Sequence, residues 1–556
     1  METPERRSFL RGLVGMATGG TIVGCVSAPQ ANPGADAEPA SAPISFREVS
    51  EERGISYAYV EDDYVQRKSL VSDAGVYLTD FDQNGTDDVL LLGGEEPVLY
   101  ENQQGQFHRT DRLPKIEGSL NGALFFDATN DGFDDLLLLR TDNTPLFLRH
   151  TGEAYEITAT GFDHHLENPI GASAADTTGD GRLDVYIAQN GNWDEHQPTG
   201  ATQSSVSTGD NGNANYLYRN TGDGFELADD AGIAGERWTL AISFADFTGN
   251  GHPDIHVGND YNYDKLYINQ GDGTFTWMDL PNSHRNAMSS VAADITGNEK
   301  LDIFVTNIKL PNRILRVMPP NKTAQKGNNL FVNVGDGHFA DQAGSYGVQN
   351  GGFGWAAVIA DFNNNQARDI FQTTEHLRVE HQMQRAYGMS EEEVYARYPL
   401  VIYPRFFERT YESRFSSRRT SELGFERMDG RGAVGLDTTN NGAIDILVGN
   451  RNDTYKLYEN LATEHNWLRV YVRGDETQTP LGSRIYLETE QGRQFSIVHA
   501  NTDFLSQGAR WEHFGLGTAR GATLRVDWPD EVSHTFEIET VNRQFAVTRG
   551  GTLESM

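Results

Sequence analysis

Several short stretches of the chain carry acidic and amide side chains at a fixed spacing. One of them, "DTTGDGRLD", places Asp176, Thr178, Asp180 and Asp184 around a glycine. Side-chain oxygens at positions 1, 3, 5 and 9 of such a loop, with the carbonyl of position 7, can converge into the shell that Ca²⁺ requires. Glycine at position 6 permits the sharp turn, because it adopts backbone angles that other residues resist. The spacing therefore predicts a calcium loop.

Seven stretches share this spacing, and the one above is the third. For any single copy the alternative is a solvated turn, because Asp and Asn side chains hydrogen-bond their own backbone in turns. Seven aligned copies favour a cation. The predicted ligands, loop by loop, are Asp80, Asp82, Asn84, Thr86 and Asp88; Asp127, Thr129, Asp131, Phe133 and Asp135; Asp176, Thr178, Asp180, Arg182 and Asp184; Asp246, Thr248, Asn250, His252 and Asp254; Asp294, Thr296, Asn298 and Asp302; Asp361, Asn363, Asn365 and Asp369; and Asp437, Thr439, Asn441, Ala443 and Asp445. The position-7 residues would contribute backbone carbonyls.

The seven loops differ in charge and in the residue at position 6. Loops one to three carry three carboxylates at ligand positions, and the other loops carry two. Because Ca²⁺ affinity rises with the number of charged ligands, we expect loops one to three to contribute most to calcium binding. Glu299 and Gln366 replace glycine at position 6 of loops five and six. We therefore rank these two loops last for occupancy.

The segments around the loops predict the elements that position them. Runs such as "VLLLG", "LLLLR" and "IFVTN" follow the loops and are typical of buried strands. Next come alternating apolar residues, a glycine-rich turn and an aromatic residue, as in "KLYINQGDGTF", which indicates a hairpin. Each unit thus holds about four strands and recurs after roughly 48 residues where nothing is inserted. Radial repetition of such units predicts an all-β fold, a seven-bladed β-propeller.

The ends of the repeat array predict how the ring closes. The segment "FREVSEERGI" near the start resembles the last strand of a repeat, while the seventh repeat stops at "KLYEN" without one. We therefore expect residues 44–50 to complete the seventh blade and leave no free sheet edge. The propeller is assigned to residues 45–460. Residues 461–556 alternate apolar and polar side chains and predict a small β-sandwich or barrel.

The N-terminus predicts export and a lipid anchor. Arg6 and Arg7 precede a short, glycine-rich apolar run that ends in "IVGC", so residues 1–25 resemble a twin-arginine signal peptide with a lipobox. Cys25 is the single cysteine of the chain and the predicted lipidation site; a chance cysteine in a cleaved signal is the alternative. Residues 26–44 are rich in Pro, Ala and Ser and predict a disordered tether.

The loops resemble FG-GAP/VCBS repeats, the calcium-loop repeats of integrin α-subunit propellers, over residues 45–460. Beyond them "NWLRVYVRG", "FLSQGARWEHFGLG" and "LRVDWPD" resemble the ASPIC/UnbV domain. Repeats followed by that domain are the arrangement of the cartilage-acidic-protein-1 (CRTAC) family. The resemblance implies the propeller fold and several Ca²⁺ ions as cofactors, and it says little about a partner.

Charge and motifs narrow the function. A net charge of -35 repels nucleic acid. The chain has no GxSxG, HExxH or P-loop motif, so no catalytic residues are assigned. The insertion at 376–415 is rich in Tyr, Phe and Arg and is either an interface or a cap on a blade edge. We expect a lipid-anchored, calcium-binding scaffold at the cell surface or in the periplasm, for adhesion or for binding an unknown protein or glycan. The alternative is an extracellular enzyme that acts on a polysaccharide or another polymer at the mouth of the channel.

Overall fold

The structure is a computed structural model that describes residues 43–60, 74–192, 209–316, 326–410 and 414–556, except Ala234, Asp336 and Asn452. The predicted signal peptide with Cys25, and the tether up to residue 42, lie outside the described residues. Residues 42–556 cluster as one compact unit. In the part of the chain that is described, no helix is long and apolar enough to cross a membrane.

The described residues form a β-propeller. Each of seven sheets contains four ring strands with one acidic loop between the first two, and we number the sheets by that loop. Strand β1 (Phe46–Glu48) belongs to sheet 7. Sheets 1 to 3 contain β2 (Val76–Thr79), β3 (Asp88–Leu91), β4 (Val98–Gln103) and β5 (Gln106–Arg109); β6 (Leu120–Phe126), β7 (Asp135–Arg140), β8 (Leu146–His150) and β9 (Tyr155–Ile157); and β10 (Pro169–Ala175), β11 (Asp184–Gln189), β12 (Tyr216–Asn220) and β13 (Phe225–Leu227).

Sheets 4 to 7 repeat the pattern. They contain β14 (Trp238–Ala245), β15 (Asp254–Asp260), β16 (Lys265–Asn269) and β17 (Phe275–Asp279); β18 (Ser290–Ala293), β19 (Asp302–Val305), β20 (Asn329–Gly335) and β21 (His338–Asp341); β22 (Gly354–Ala360), β23 (Asp369–Thr374), β24 (Arg405–Arg409) and β25 (Phe415–Arg418); and β26 (Gly430–Leu436), β27 (Asp445–Asn450) and β28 (Lys456–Asn460). The apolar runs after the loops are the buried second strands, as predicted. The last strands are more exposed, and in β5 only Phe107 is buried, because these strands lie at the solvent edge of their sheets.

The first strands of neighbouring sheets contact each other around the whole ring, and β2 contacts both β6 and β26. Strand β1 pairs antiparallel with β28, and Phe46 lies opposite Asn460. This is the pairing that the sequence predicts for residues 44–50. Because β1 joins the end of the ring to its beginning, sheet 7 has its fourth strand and the edge of β28 is paired.

Residues beyond the ring form a β-sandwich, one of the two forms that the sequence predicts. One sheet has the order β34 (Glu512–Gly517), β29 (Asn466–Arg473), β37 (Arg543–Thr548), β38 (Leu553–Ser555), and the other has β31 (Gly492–Ile497), β30 (Arg484–Thr489), β35 (Ala522–Asp527), β36 (Ser533–Ile538). Leu468 and Phe514 of the first sheet and Leu487 and Val526 of the second share one buried cluster.

A segment of this sandwich, residues 500–507 (the plug), lies at the centre of the ring. It contains β32 (Thr502–Asp503) and β33 (Ser506–Gln507), and β33 pairs parallel with β2. Its polar side chains form hydrogen bonds with backbone groups of the first, innermost strands of the sheets. Gln507 bonds both the N–H and the carbonyl of Phe125, each at 2.8 Å, and Asn501 bonds both groups of Phe244 at 2.7 and 2.9 Å. Asp503 accepts from the N–H groups of Ser290 and Ala357 at 3.1 and 3.0 Å.

The plug therefore touches the first strand of every sheet. Ala174 of sheet 3 donates to the carbonyl of Ala500 at 3.2 Å. In sheet 7 the contact needs a glycine, because a Cβ on Gly432 would lie 2.4 Å from the carbonyl oxygen of Leu505. The apolar tip, Phe504 and Leu505, is buried in the main core cluster, and the Phe504 ring lies 4.8 Å from that of Trp355. The plug occupies the centre of the ring, so an enzyme site in the channel would require the plug to move.

The helices are short and lie in the connections. They are α1 (Asn312–Leu315), α2 (Ala343–Tyr346), α3 (Leu377–Tyr387), α4 (Glu391–Arg397) and α5 (Pro399–Ile402), with a 3₁₀ turn at Thr420–Glu422. Ser390 and Glu393 form a capping box at the start of α4. Val379, Met383 and Val394 are fully buried in the main core cluster. This burial favours the cap over the free interface for the insertion at 376–415.

Candidate metal sites

The seven acidic loops share one backbone geometry. In each, the position-1 aspartate accepts a hydrogen bond from the N–H of position 6, as in Gly181 to Asp176 at 2.8 Å and Gly442 to Asp437 at 2.7 Å. The remaining five pairs are Gly85–Asp80, Gly132–Asp127, Gly251–Asp246, Glu299–Asp294 and Gln366–Asp361. The hydrogen bonds of the position-1 carboxylate therefore hold the turn without a cation.

The position-9 aspartate has a second, structural role that the sequence analysis missed. Asp88 accepts from the N–H of Phe81 at 2.8 Å and from the N–H of Asn102, in the third strand, at 2.7 Å. The third-strand contact recurs in the other six loops, at 2.7 to 3.0 Å. A carboxylate oxygen that accepts one hydrogen bond keeps a second lone pair, so position 9 can still ligate a cation.

An asparagine at the end of the third strand joins neighbouring sheets. The Asn102 amide donates to the carbonyl of Thr438 in the preceding loop at 3.0 Å. The equivalent donors are Asn220 to Ala128, Asn269 to Thr177, Asn333 to Phe247 and Asn460 to Phe362. The sequence signal was the asparagine that ends "LYEN", "LYRN", "LYIN" and "LFVN". This asparagine fixes five of the seven loops against the next sheet.

Loop one brings three carboxylates together. One oxygen each of Asp80, Asp82 and Asp88 lies within 4.8 Å of the others, and no other His, Cys, Asp or Glu trio among the described residues meets that limit. An oxygen of Asp80, Oδ1, is buried and has no hydrogen-bond partner. Burial first, and the charges of neighbouring aspartates next, raise the pKa of Asp80 to about 7; burial raises that of Asp88 to about 8. Such a site favours a bound cation or protons over free negative charge.

Loops two and three do not gather their carboxylates in the same way. Asp131 lies 3.6 Å from the guanidinium of Arg149, and Asp180 pairs with Arg182 of its own loop. Arg182 was predicted to contribute only its backbone carbonyl. Because these arginines already compensate a carboxylate, loop one ranks above loops two and three as a calcium site. Their occupancy stays a prediction.

Loops five and six keep the turn despite lacking glycine. Glu299 and Gln366 adopt positive φ angles of 59° and 74°. The turn therefore forms without glycine, and the low occupancy expected of these two loops stays a prediction. In loop six the side chain of Asn363 is 1% exposed, and neither its oxygen nor its nitrogen has a hydrogen-bond partner. An orphaned amide oxygen at position 3 fits a cation ligand.

The C-terminal domain contacts the acidic loops, and two of its arginines pair with loops one and two. Arg469 donates to Asp87 at 2.8 Å, and Arg510 pairs with Asp134. Both aspartates stand at position 8, next to the predicted ligands and outside them. Docking is tight, because a Cβ on Gly442 at position 6 of loop seven would lie 2.1 Å from the Trp467 ring.

The raised pKa values predict how stability depends on pH without metal. In the folded protein Asp80 and Asp88 hold protons up to about pH 7 and 8, whereas unfolded aspartate releases them near pH 4. The folded state then binds more protons, so its stability falls as pH rises through this range. Thermal unfolding in calcium-free buffer should show a lower Tm at pH 8 than at pH 6.5.

Two buried histidines have the opposite effect on stability, but they act below the range of pH 6.5 to 8 chosen for this test. Burial lowers the pKa of His499 to about 4 and of His513 to about 3, so these side chains destabilise the fold only below the pKa of an unfolded histidine, about 6.5. Saturating calcium should flatten the dependence, because a bound cation removes the reason for protonation. A calcium-free Tm that rises from pH 6.5 to 8 would contradict the carboxylate assignment.

The ring and the sandwich resemble two different families of known proteins. Residues 80–138, 127–187, 205–257 and 246–305 match the model of an FG-GAP-like repeat, and residues 474–554 match the model described as ASPIC and UnbV. The repeat matches contain loops one to five, and the second match lies in the sandwich. The resemblance that the sequence predicts is confirmed for both parts.

Three relatives are similar to most of the chain. Cartilage acidic protein 1 of Mus musculus is 22% identical over 509 residues, 84% of this chain and 72% of the relative. The Xenopus tropicalis protein is 24% identical over 82% of this chain and 70% of its own length, and the Homo sapiens protein is 22% identical over 82% and 68%. Among solved structures, BBS1N in complex with ARL6DN aligns with a TM-score of 0.38 and 8% identity over 73% of this chain and 95% of that one.

Proposed function

From a chain that carries FG-GAP-like repeats followed by a C-terminal ASPIC and UnbV domain, we propose a calcium-stabilised binding scaffold. Its seven sheets act as seven blades, and it presents its surface outside the cell to a protein or glycan partner. The observation that carries the calcium part is loop one, where Asp80, Asp82 and Asp88 converge and one Asp80 oxygen is buried without a partner. Residues 45–460 are proposed as the propeller and residues 461–556 as the second domain.

Calcium would act on stability in two ways. It removes the repulsion among carboxylates that lie within a few ångströms of one another. It also shifts the folding equilibrium by mass action, by about 2.7 kcal/mol per site at a hundredfold excess over Kd. For an extracellular module we expect Kd values on the order of 10⁻⁴ to 10⁻³ M.

The experiment that tests this role compares two substitutions. Asp82→Asn removes a carboxylate from loop one and should reduce the calcium-induced rise in Tm. Asp180→Asn, the matched control, removes a carboxylate that Arg182 already neutralises and should leave the rise near that of the unsubstituted protein. Scanning calorimetry with and without calcium measures both. Equal calcium responses in all three proteins would overturn the assignment of loop one.

We also propose that residues 1–25 direct twin-arginine export, that Cys25 is lipidated, and that residues 26–44 tether the propeller to the membrane. The support is the order Arg6, Arg7, apolar run and Cys25 in the sequence. Cys25→Ser should move the protein from the membrane fraction to the soluble exported fraction, and Arg6-Arg7→Lys-Lys should abolish export. Fractionation and immunoblotting measure both. A Cys25→Ser protein that stays with the membrane would refute the anchor.

A further inference from the structure

Loop four differs from the other acidic loops in what its position-1 carboxylate contacts. The guanidinium of Arg484, in the sandwich, pairs with Asp246, whose side chain is 8% exposed. No other position-1 aspartate of the seven loops has an arginine within ion-pair distance among the described residues. We propose that Arg484 takes the place of a metal ion in loop four and keeps calcium out of it.

Both carboxylate oxygens of Asp246 in loop four already accept two hydrogen bonds each. Asp246 Oδ1 accepts from the N–H groups of Gly249 and Asn250 at 2.7 and 3.0 Å, and Oδ2 accepts from Gly251 and from Arg484. Asp254 accepts three hydrogen bonds. Its Oδ2 accepts from the N–H and the hydroxyl of Thr248, each at 2.9 Å, and its Oδ1 accepts from the N–H of Asn269 at 3.0 Å. Loop four therefore lacks the orphaned oxygen that loops one and six bury.

The residue at position 8 separates loop four from the two loops in which an arginine of the sandwich pairs with position 8. In loops one and two an aspartate stands there, and it receives the arginine of the sandwich: Asp87 pairs with Arg469 and Asp134 with Arg510. Among the described residues, no ligand carboxylate of those two loops forms an ion pair with Arg469 or Arg510, although burial raises the pKa of Asp127 and the Arg510 charge partly offsets this rise. Loop four has Pro253 at position 8, so an arginine that docks there finds Asp246 instead.

The backbone of the sandwich holds Arg484 at this place. Arg484 begins β30, where its Cα lies opposite Ile497 on one side and Asp527 on the other. Its side chain is 36% exposed, so it reaches the loop from the edge of the interface. A fixed guanidinium supplies positive charge and hydrogen-bond donors to Asp246, and it repels a divalent cation that would share the same carboxylate.

This inference rests on the proposed calcium binding, and one experiment separates the two. Equilibrium dialysis counts calcium ions per folded chain in the unsubstituted protein and in Arg484→Met, at calcium concentrations up to about 10 mM, above the expected Kd range. The unsubstituted count tests the proposed function. The difference between the two counts tests Arg484, and we expect one additional ion in Arg484→Met.

Two further variants complete the test. Arg493→Met, which removes an arginine that pairs with Glu299 at 3.0 Å outside the ligand positions, should leave the count unchanged. Asn250→Ala should also leave the count of the unsubstituted protein unchanged and should abolish the gain in Arg484→Met. Calcium should raise the Tm of Arg484→Met more than that of the unsubstituted protein, which also reports that the variant is folded. No gain in Arg484→Met, or a lower count in Asn250→Ala alone, would overturn the inference.

Discussion

A chain that ends at Asn460 should fail to give a soluble, cooperatively folding propeller. The truncation removes the plug, whose side chains and backbone satisfy groups on the inner strands, including both backbone groups of Phe125 and of Phe244. Each buried polar group left without a partner costs about 1 to 3 kcal/mol, and several would be lost at once. We expect aggregation, or a Tm far below that of the full chain, in gel filtration and calorimetry.

A single substitution separates the plug from the rest of the sandwich. Phe504 is fully buried against Trp355, so Phe504→Ala should cost about 3 to 5 kcal/mol. Trp277, an aromatic residue that is 52% exposed and lies under the Lys265 ammonium at 4.3 Å, is the matched control, and Trp277→Ala should cost no more than about 1 kcal/mol. A truncated ring that unfolds within a few degrees of the full chain would show that the plug is dispensable.

Removal of the chain through Val49 should unfold sheet 7 or cause aggregation. The deletion takes away β1, including Phe46, which is 4% exposed and whose ring lies 4.7 Å from that of Phe425. Burial of each such side chain contributes about 1.5 to 3 kcal/mol. The loss also uncovers the edge of β28, which becomes a template for pairing with another chain. Thermal unfolding and light scattering measure the two effects.

Deletion through residue 42 is the control for this truncation. It keeps Ile44, which is 3% exposed, and all of β1. We expect this shorter deletion to unfold at the same temperature as the full chain. If the two truncated proteins were equally stable and equally soluble, β1 would not be what closes the ring.

Much of the ring could be predicted from the sequence because its determinants are local. Each acidic loop is flanked by apolar runs, and a run such as "DLLLLR" has one stable location, a strand buried on both faces. Closure of the ring by residues 44–50 was also predictable, since the seventh repeat lacks its last strand and these residues resemble the last strand of a repeat. The positions of the aspartates fixed the loops, because position 1 makes the turn and position 9 pins it to the third strand.

The plug could not be predicted, because its partners lie far away in the chain. "NTDFLSQG" reads as a polar turn, and its Asn501, Asp503 and Gln507 bond strands that precede it by more than a hundred residues. Nothing local shows that Phe504 fills the centre of a ring. The same applies to Arg484 and Arg469, which look like ordinary strand residues until the sandwich is placed on the loops.

Differences among the loops were predictable in charge and not in geometry. The number of carboxylates predicts the same calcium affinity for loops one to three. In the structure, Arg149 and Arg182 neutralise the charge of one aspartate each in loops two and three. Counting glycines placed loops five and six last, but Glu299 and Gln366 adopt the required backbone angle. A residue with a Cβ is strained there, and the hydrogen bonds from these N–H groups to the position-1 aspartates help to hold it.

The most direct test of the account is long-wavelength anomalous diffraction from crystals equilibrated with calcium at about 10 mM, above the expected Kd range. The account predicts an anomalous peak among the carboxylates of Asp80, Asp82 and Asp88, and none beside Asp246, where Arg484 is bound. Absence of a peak in loop one at that concentration would contradict the assignment of calcium to these loops.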